Sequence, residues 1–187
     1  VPPLHGYIKG IVGTNASGGK LVCFNNPSDE SYGKSQSVNS SISVAAAEKY
    51  VDALNYLLRE NAHHTCIDDL TMVYWADADN SEEDGAACDL FSYFCLSGKS
   101  DRADTDNRLS AIMSKLRTGT VLADDLAADG IDPSVNFYVA GLTPNTSRVS
   151  VKFVYRNSVG KLVGNIAAHQ RDLWHSGLNE NTQLSVW

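Results

Sequence analysis

From position 44 the apolar residues recur every three to four places. Val44, Ala47, Val51, Leu54 and Leu58 fall on one face of a 3.6-residue repeat, with Tyr50 and Leu57 widening the stripe. Ser43 stands just before the first of them and predicts an N-cap, so a helix is expected from 44 to about Arg59. "LTMVYWA", residues 70–76, is apolar at both parities and predicts a strand covered on both faces. Further on, Leu90, Phe91 and Phe94 mark a helix near 85–97. Leu109, Ile112, Met113 and Leu116 mark another near 106–117, and 121–128 adds a turn or two. "NFYVAGL" (136–142) and "RVSVKFVY" (148–155) predict a hairpin turning at Thr143-Pro144-Asn145-Thr146. Its second strand alternates: Val149, Val151, Phe153 and Tyr155 take one face, Arg148, Ser150, Lys152 and Arg156 the other. Asn157 or Ser158 then caps a helix striped by Val159, Leu162, Val163, Ile166, Ala167, Leu173 and Trp174. Near the start, Tyr7–Val12 and Lys20–Phe24 predict a loose hairpin joined through "TNASGGK".

The resulting order of hairpin, helix, strand, helices, hairpin and helix predicts an α+β fold. Its antiparallel or mixed sheet, two hairpins plus a central strand, is covered by helices. A length of 187 residues suits a single domain over 1–187, and a start without Met with a blunt end at "LSVW" reads as a fragment of a larger protein. With 43% hydrophobic and 20% charged residues the composition is that of a globular chain. No apolar run reaches the roughly 20 residues of a membrane span, and no signal-peptide pattern opens the chain, so no membrane partner is expected. Cys23, Cys66, Cys88 and Cys95 form no CxxC pair; reduced, buried thiols in a cytoplasmic protein are expected.

Charge is unevenly placed. Residues 79–132 hold twelve Asp/Glu against five Lys/Arg, which is the whole formal excess of −7, and read as an acidic, partly helical insertion. Residues 133–187 carry five Lys/Arg and two acids, so global acidity leaves room for a local polyanion site.

Catalytic signatures are sparse. The adjacent His63 and His64 of "HHTC" cannot easily aim both rings at one ion, lack a partner pair, and read as an exposed helix-to-strand turn. Asp77 and Asp79, just past a strand end, are the best-placed carboxylates for a metal-dependent nuclease, against a solvated acidic loop as the alternative. There is no G-x-S-x-G elbow, and "SGGK" lacks the rest of a phosphate-binding loop. Neither catalysis nor a cofactor is expected.

Two features suit a polyanion instead. Arg148, Lys152 and Arg156 sit four residues apart on one strand face, about 13 Å between neighbours, which can track phosphates or simply face solvent. The segment "NNPSDESYGKSQSVNSS" is long and polar. Its Asn25, Gln36 and Asn39 offer amides, Lys34 a charge and Tyr32 a stacking face, against an internally anchored loop with Tyr32 plugging the core.

Those same residues carry a resemblance. Val22, Phe24 and Asn25, the run Ser31-Tyr32-Gly33-Lys34, Gln36, Asn39 and Ala53-Leu54-Asn55 resemble the middle portion of the large subunit of type I-C CRISPR surveillance (Cascade) complexes. Val73, Trp75 and Ala76 are similar to its Val-x-Trp-Ala strand. Phe137, Tyr138, Gly141, Leu142, Pro144, Asn145, Arg148, Ser150 and Val151 are similar to a later block. Asp29 departs, falling where an aromatic is expected, and Ala140 replaces a larger aliphatic; 79–132 matches nothing quotable. The resemblance implies a non-catalytic subunit that holds guide RNA and target DNA beside other CRISPR-associated subunits, helps read a short flanking DNA motif and supports recruitment of a nuclease-helicase. Asn25, Tyr32, Lys34, Gln36 and Asn39, with Asn145, Arg148, Lys152 and Arg156, are then the expected nucleic-acid contacts. A protein-docking scaffold is the alternative.

Overall fold

The computed structural model describes residues 5–95, 111–112, 114–116, 118–121, 123–128 and 130–173. Four strands, β1 (His64–Ile67), β2 (Leu70–Ala76), β3 (Asn136–Asn145) and β4 (Arg148–Ser158), lie in the order β1-β2-β3-β4. Around this antiparallel sheet are α1 (Val44–Arg59), α2 (Ser81–Cys95), α3 (Ala123–Ala128) and α4 (Val159–Leu173). The fold is α+β, as the pattern predicts. Residues 111–112 and 114–116 are helical, and the rest of the helix expected over 106–117 lies outside the described residues. Internal contacts divide the chain into two compact units, Val1–Val73 with Ala140–Val154, and Tyr74–Val139 with Tyr155–Trp187.

In the first unit α1 begins where the sequence placed it: the Ser43 hydroxyl accepts the Ala46 amide at 3.2 Å. Its Ala47, Val51 and Leu58 are buried. Asn55 fastens the segment before it, accepting from the Lys9 amide at 2.9 Å and donating to the Tyr7 carbonyl at 3.1 Å. The hairpin expected from 7–12 and 20–24 is reduced to a reciprocal backbone pair between Ile8 and Gly19. Lys20 pairs instead with the start of β4: its amide donates to Ser147 at 3.2 Å and its carbonyl accepts from Val149 at 2.9 Å. Gly18 permits this arrangement, because a Cβ there would stand 2.3 Å from the Ile8 carbonyl oxygen and its φ is +92°.

A hairpin forms elsewhere. β1 and β2 pair from His64↔Val73 to Ile67↔Leu70 across a two-residue turn in which Asp68 takes φ 52°. His63 is therefore buried against Tyr56, at 6.2 Å between rings, and not part of an exposed turn. The second hairpin turns at Thr146-Ser147, two residues later than Pro144 predicted; Thr146 adopts φ 57°. Pro144 lies one residue from the end of β3, where a missing ladder donor costs least.

In the second unit the core is aromatic. Tyr74, Phe91 and Phe137 meet at 4.9, 5.3 and 6.4 Å between ring centroids. Burying each ring contributes on the order of 2–3 kcal/mol. Asn80 caps α2 by accepting the Glu83 amide at 2.8 Å, and Asp84 accepts the Ala76 amide at 2.7 Å, tying helix to strand. Ser158, one of the two expected caps, accepts the Lys161 amide at 3.2 Å and starts α4, which buries Val163, Ile166 and Ala167. Cys88 and Cys95 are buried thiols, as expected, but Cys23 is half-buried and Cys66 exposed. Burial pushes the Cys95 thiol up to about 12, and that of Cys88 up as well with Asp84 adding to the effect. No helix among the described residues is long and apolar enough to cross a membrane.

Candidate functional site

The polar segment after Phe24 is held by its own side chains. The Asp29 carboxylate accepts the amides of Asn25 and Asn26, each at 3.1 Å, around a 3₁₀ turn opened by Pro27. Glu30 accepts the Gln36 amide at 3.3 Å. Asn39 is a four-way strut. Its Oδ1 accepts from the Ser31 amide and hydroxyl at 3.2 and 3.4 Å, and its Nδ2 donates to the Lys34 and Gln36 carbonyls at 2.9 and 3.1 Å. Between Ser31 and Lys34 the chain reverses through Tyr32 (φ 51°) and Gly33 (φ 68°), closed by a 2.9 Å bond from the Lys34 amide to the Ser31 carbonyl. Two consecutive positive φ values give the sense of a type I′ turn, unusual for an aromatic residue. Tyr32 is 98% exposed at its tip and plugs no core.

Beneath this segment, within the first unit, is an open cleft of about 310 Å³ lined by His5, Lys20, Val22, Phe24, Asn25 and Gln36, among others. His5 forms one end. Its Nδ1 meets the Tyr50 hydroxyl at 2.7 Å and its Nε2 the Ser40 hydroxyl at 3.1 Å. Burial, and then the charge of Lys20, hold the imidazole pKa below its ordinary 6.5, so the ring is neutral at pH 7. The Lys20 ammonium lies 4.6 Å over the Tyr7 ring. The Asn25 Oδ1 accepts from Cys23 at 2.8 Å; among the described residues its Nδ2 and the side-chain amide of Gln36 have no protein partner. The cleft thus combines the apolar side chains of Val22 and Phe24 with two available amides and one cation. Such a set suits a flat, polar-edged, anionic ligand.

The other expected contacts fall in different places. Arg148 is engaged: its Nη2 stands 3.6 Å from Asp29, with the two side chains 38% and 28% exposed. That pair links the segment to β4. Lys34, Asn145 and Lys152 are exposed. Asn39 is a strut holding the turn, not a free contact. In the second unit the Arg156 guanidinium lies 5.5 Å over the Tyr138 ring. Asp77 and Asp79 are both exposed, and the Asp77 amide is spent on the Asn136 carbonyl.

Sequence reasoning missed His5, Lys20 and Asp29. His5 is a lone histidine in "PPLHG", with no pattern to single it out. Lys20 stands out in the sequence only as a strand start and as the end of an incomplete phosphate loop. Asp29 departs from the resembled pattern, yet it organises the segment. A carboxylate three residues after Asn26, with Pro between, is the capping signal that identifies it.

A search among curated proteins finds no match. A family model described as CRISPR-associated protein (Cas_Csd1) matches residues 1–187. Matched along its whole length, the chain belongs to this family of CRISPR-associated proteins.

Proposed function

We propose that the chain is a non-catalytic, nucleic-acid-facing module of the large subunit of an RNA-guided type I-C antiviral complex in the cytoplasm. In this reading it supports guide RNA and target DNA binding beside other CRISPR-associated subunits and contributes to recognition of a short flanking motif. The observation that carries the reading is the cleft: the available amides of Asn25 and Gln36 line it with Lys20, and the same segment carries a closed turn that presents Tyr32 and Lys34. Base pairing supplies sequence reading in RNA-guided systems, so the protein's part is geometry and backbone contact. Pre-ordered amides and cations do that without paying to organise a loop at the moment of binding.

The test is salt-dependent binding of a labelled oligonucleotide. Replacing Arg148, Lys152 and Arg156 together by Ala is expected to weaken binding and flatten the log–log salt slope by up to ~3 units. An unchanged slope removes the basic strand from the proposal. Photocrosslinking the intact parent assembly then maps Lys34 and the three cations onto RNA or DNA. Incubation with Mg²⁺ or Mn²⁺ and single-stranded substrate is expected to give no cleavage.

A protein-docking scaffold is the second reading, favoured by one observation. β4 is last in the strand order, and its Val151, Phe153 and Val154 are 49%, 36% and 67% exposed. An apolar outermost strand suits pairing with another chain. Crosslinks from β4 and from 79–132 to protein alone, with none to nucleic acid, would favour that reading.

A further inference from the structure

Within the second unit, β2, β3 and β4 each contribute one flat side chain to a single row. Trp75 and Tyr138 stack with centroids 5.1 Å apart and planes 6° from parallel. The Arg156 guanidinium carbon lies 5.5 Å over the Tyr138 ring. Because β3 runs between β2 and β4, Trp75 and Arg156 approach Tyr138 from opposite sides. The row therefore ends on a guanidinium carried by the outermost strand, and Arg156 is exposed. Among the described residues no carboxylate pairs with it. Trp75 and Tyr138 are only half-buried, although both belong to strands whose inward neighbours Tyr74 and Phe137 are fully enclosed.

We propose that this row is a stacking platform: an unpaired nucleobase of single-stranded RNA or DNA adds to it as the next layer, on the outer side of Arg156. The inference rests on the nucleic-acid reading above and gives it a ligand class, unpaired bases. The chemistry of the row selects that ligand. An arginine meant for a carboxylate is normally gripped at its N–H edges, whereas this one is held by a ring beneath it. Guanidinium planes and aromatic rings both stack on bases, and sheet surfaces presenting such groups bind unpaired strands with little sequence preference. Trp75 stacks on the Tyr138 ring and Tyr138 lies beneath the guanidinium, so the three layers already stand in line before a strand arrives.

The experiment compares the full 187-residue chain with Arg156→Lys, Arg156→Ala and Tyr138→Leu by fluorescence anisotropy. Two labelled probes are used: a single-stranded oligothymidylate, and an abasic backbone of equal length and charge. Arg156→Lys keeps the charge and removes the plane. Tyr138→Leu keeps the arginine and removes its support, and circular dichroism confirms that each variant is folded. The expected result is a three- to tenfold weakening of oligothymidylate binding by Arg156→Lys and by Tyr138→Leu. The salt slope stays the same, and neither variant differs from the parent on the abasic probe. A phosphate contact gives a different pattern: Arg156→Lys binds like the parent, while Arg156→Ala loses about one slope unit on both probes. That pattern overturns the platform. Parent binding unchanged in Arg156→Lys and Tyr138→Leu also overturns it and leaves the nucleic-acid reading standing. No binding of either probe by the parent chain overturns both.

Discussion

Tyr32 occupies a backbone conformation that its own side chain disfavours. A φ of 51° brings Cβ toward the following carbonyl, at a cost of roughly 1–2 kcal/mol for an L-residue, and Asn tolerates it better. Nothing is recovered by burial, since the ring is 98% exposed. Strain held at a site with no packing return is a mark of function. Tyr32→Asn is accordingly expected to raise stability by about 0.5–1 kcal/mol in urea unfolding, while weakening oligonucleotide binding. A variant no more stable than the parent would show that the turn is unstrained, and one that binds equally well would remove Tyr32 from the interface.

At the scale of elements, one amide holds the stretch from Ser31 to Gln36. Asn39 makes four hydrogen bonds to groups between Ser31 and Gln36, all of them exposed, and exposed bonds of this kind contribute about 0.5–1.5 kcal/mol each before competition with water. Asn39→Ala should cost about 1–2 kcal/mol of local order, read as faster amide exchange at Ser31 and quicker proteolysis within 31–39, with the exchange of α1 and β3 unchanged. Protection lost evenly across the chain would mean that Asn39 supports the fold at large. None of this could be read in the sequence, because an asparagine in a polar run looks the same as a strut or as a free contact. The helices were legible because period and cap agree: Ser43 before the α1 stripe and Ser158 before α4 both cap. Strand pairing was less so. Tyr7–Val12 and Lys20–Phe24 have the composition of a hairpin, but Gly10, Gly13 and Gly18 take positive φ and send Lys20 to β4. The short "HTCI", with Cys66 exposed, gives too little alternation to announce β1. On β4 the alternation was plain, yet Val151 and Phe153 remain exposed, because a period of two reports the faces of a strand and not what covers them.

For the molecule as a whole, both acidity and local charge shape behaviour. His5 is the group through which stability should follow pH. Its folded pKa lies below the ordinary 6.5, through burial first and Lys20 second, so above that value native and unfolded chains are both neutral at this site and the contribution is complete. As pH falls through about 6.5 the unfolded chain binds a proton that the native cleft resists, and stability declines until the lower native pKa is reached. Urea midpoints between pH 8 and 5 should fall more steeply for the parent chain than for His5→Gln; parallel profiles would contradict the assignment.

A chain of net charge −7 meets a polyanion only where its cations are locally uncompensated, since screening hides carboxylates more than about 8 Å away. The cations of β4 are unequal in that respect. Lys152 is exposed and has no ion pair among the described residues, whereas Arg148 stands 3.6 Å from the Asp29 carboxylate. Counterion release counts the cations that neutralise a phosphate, and Asp29 already neutralises Arg148 in part, so Lys152→Ala is expected to reduce the salt slope by about one unit and Arg148→Ala by less. Asp29→Ala with Arg148 in place separates the two roles of the carboxylate. If Asp29 only neutralises, removing it frees Arg148 and steepens the slope. If its grip on the Asn25 and Asn26 amides is what shapes the cleft, affinity falls at every salt concentration with the slope unmoved. Equal slopes for the two single alanine variants would mean that the Asp29–Arg148 pair opens when nucleic acid binds, and that the charge of Arg148 is available after all.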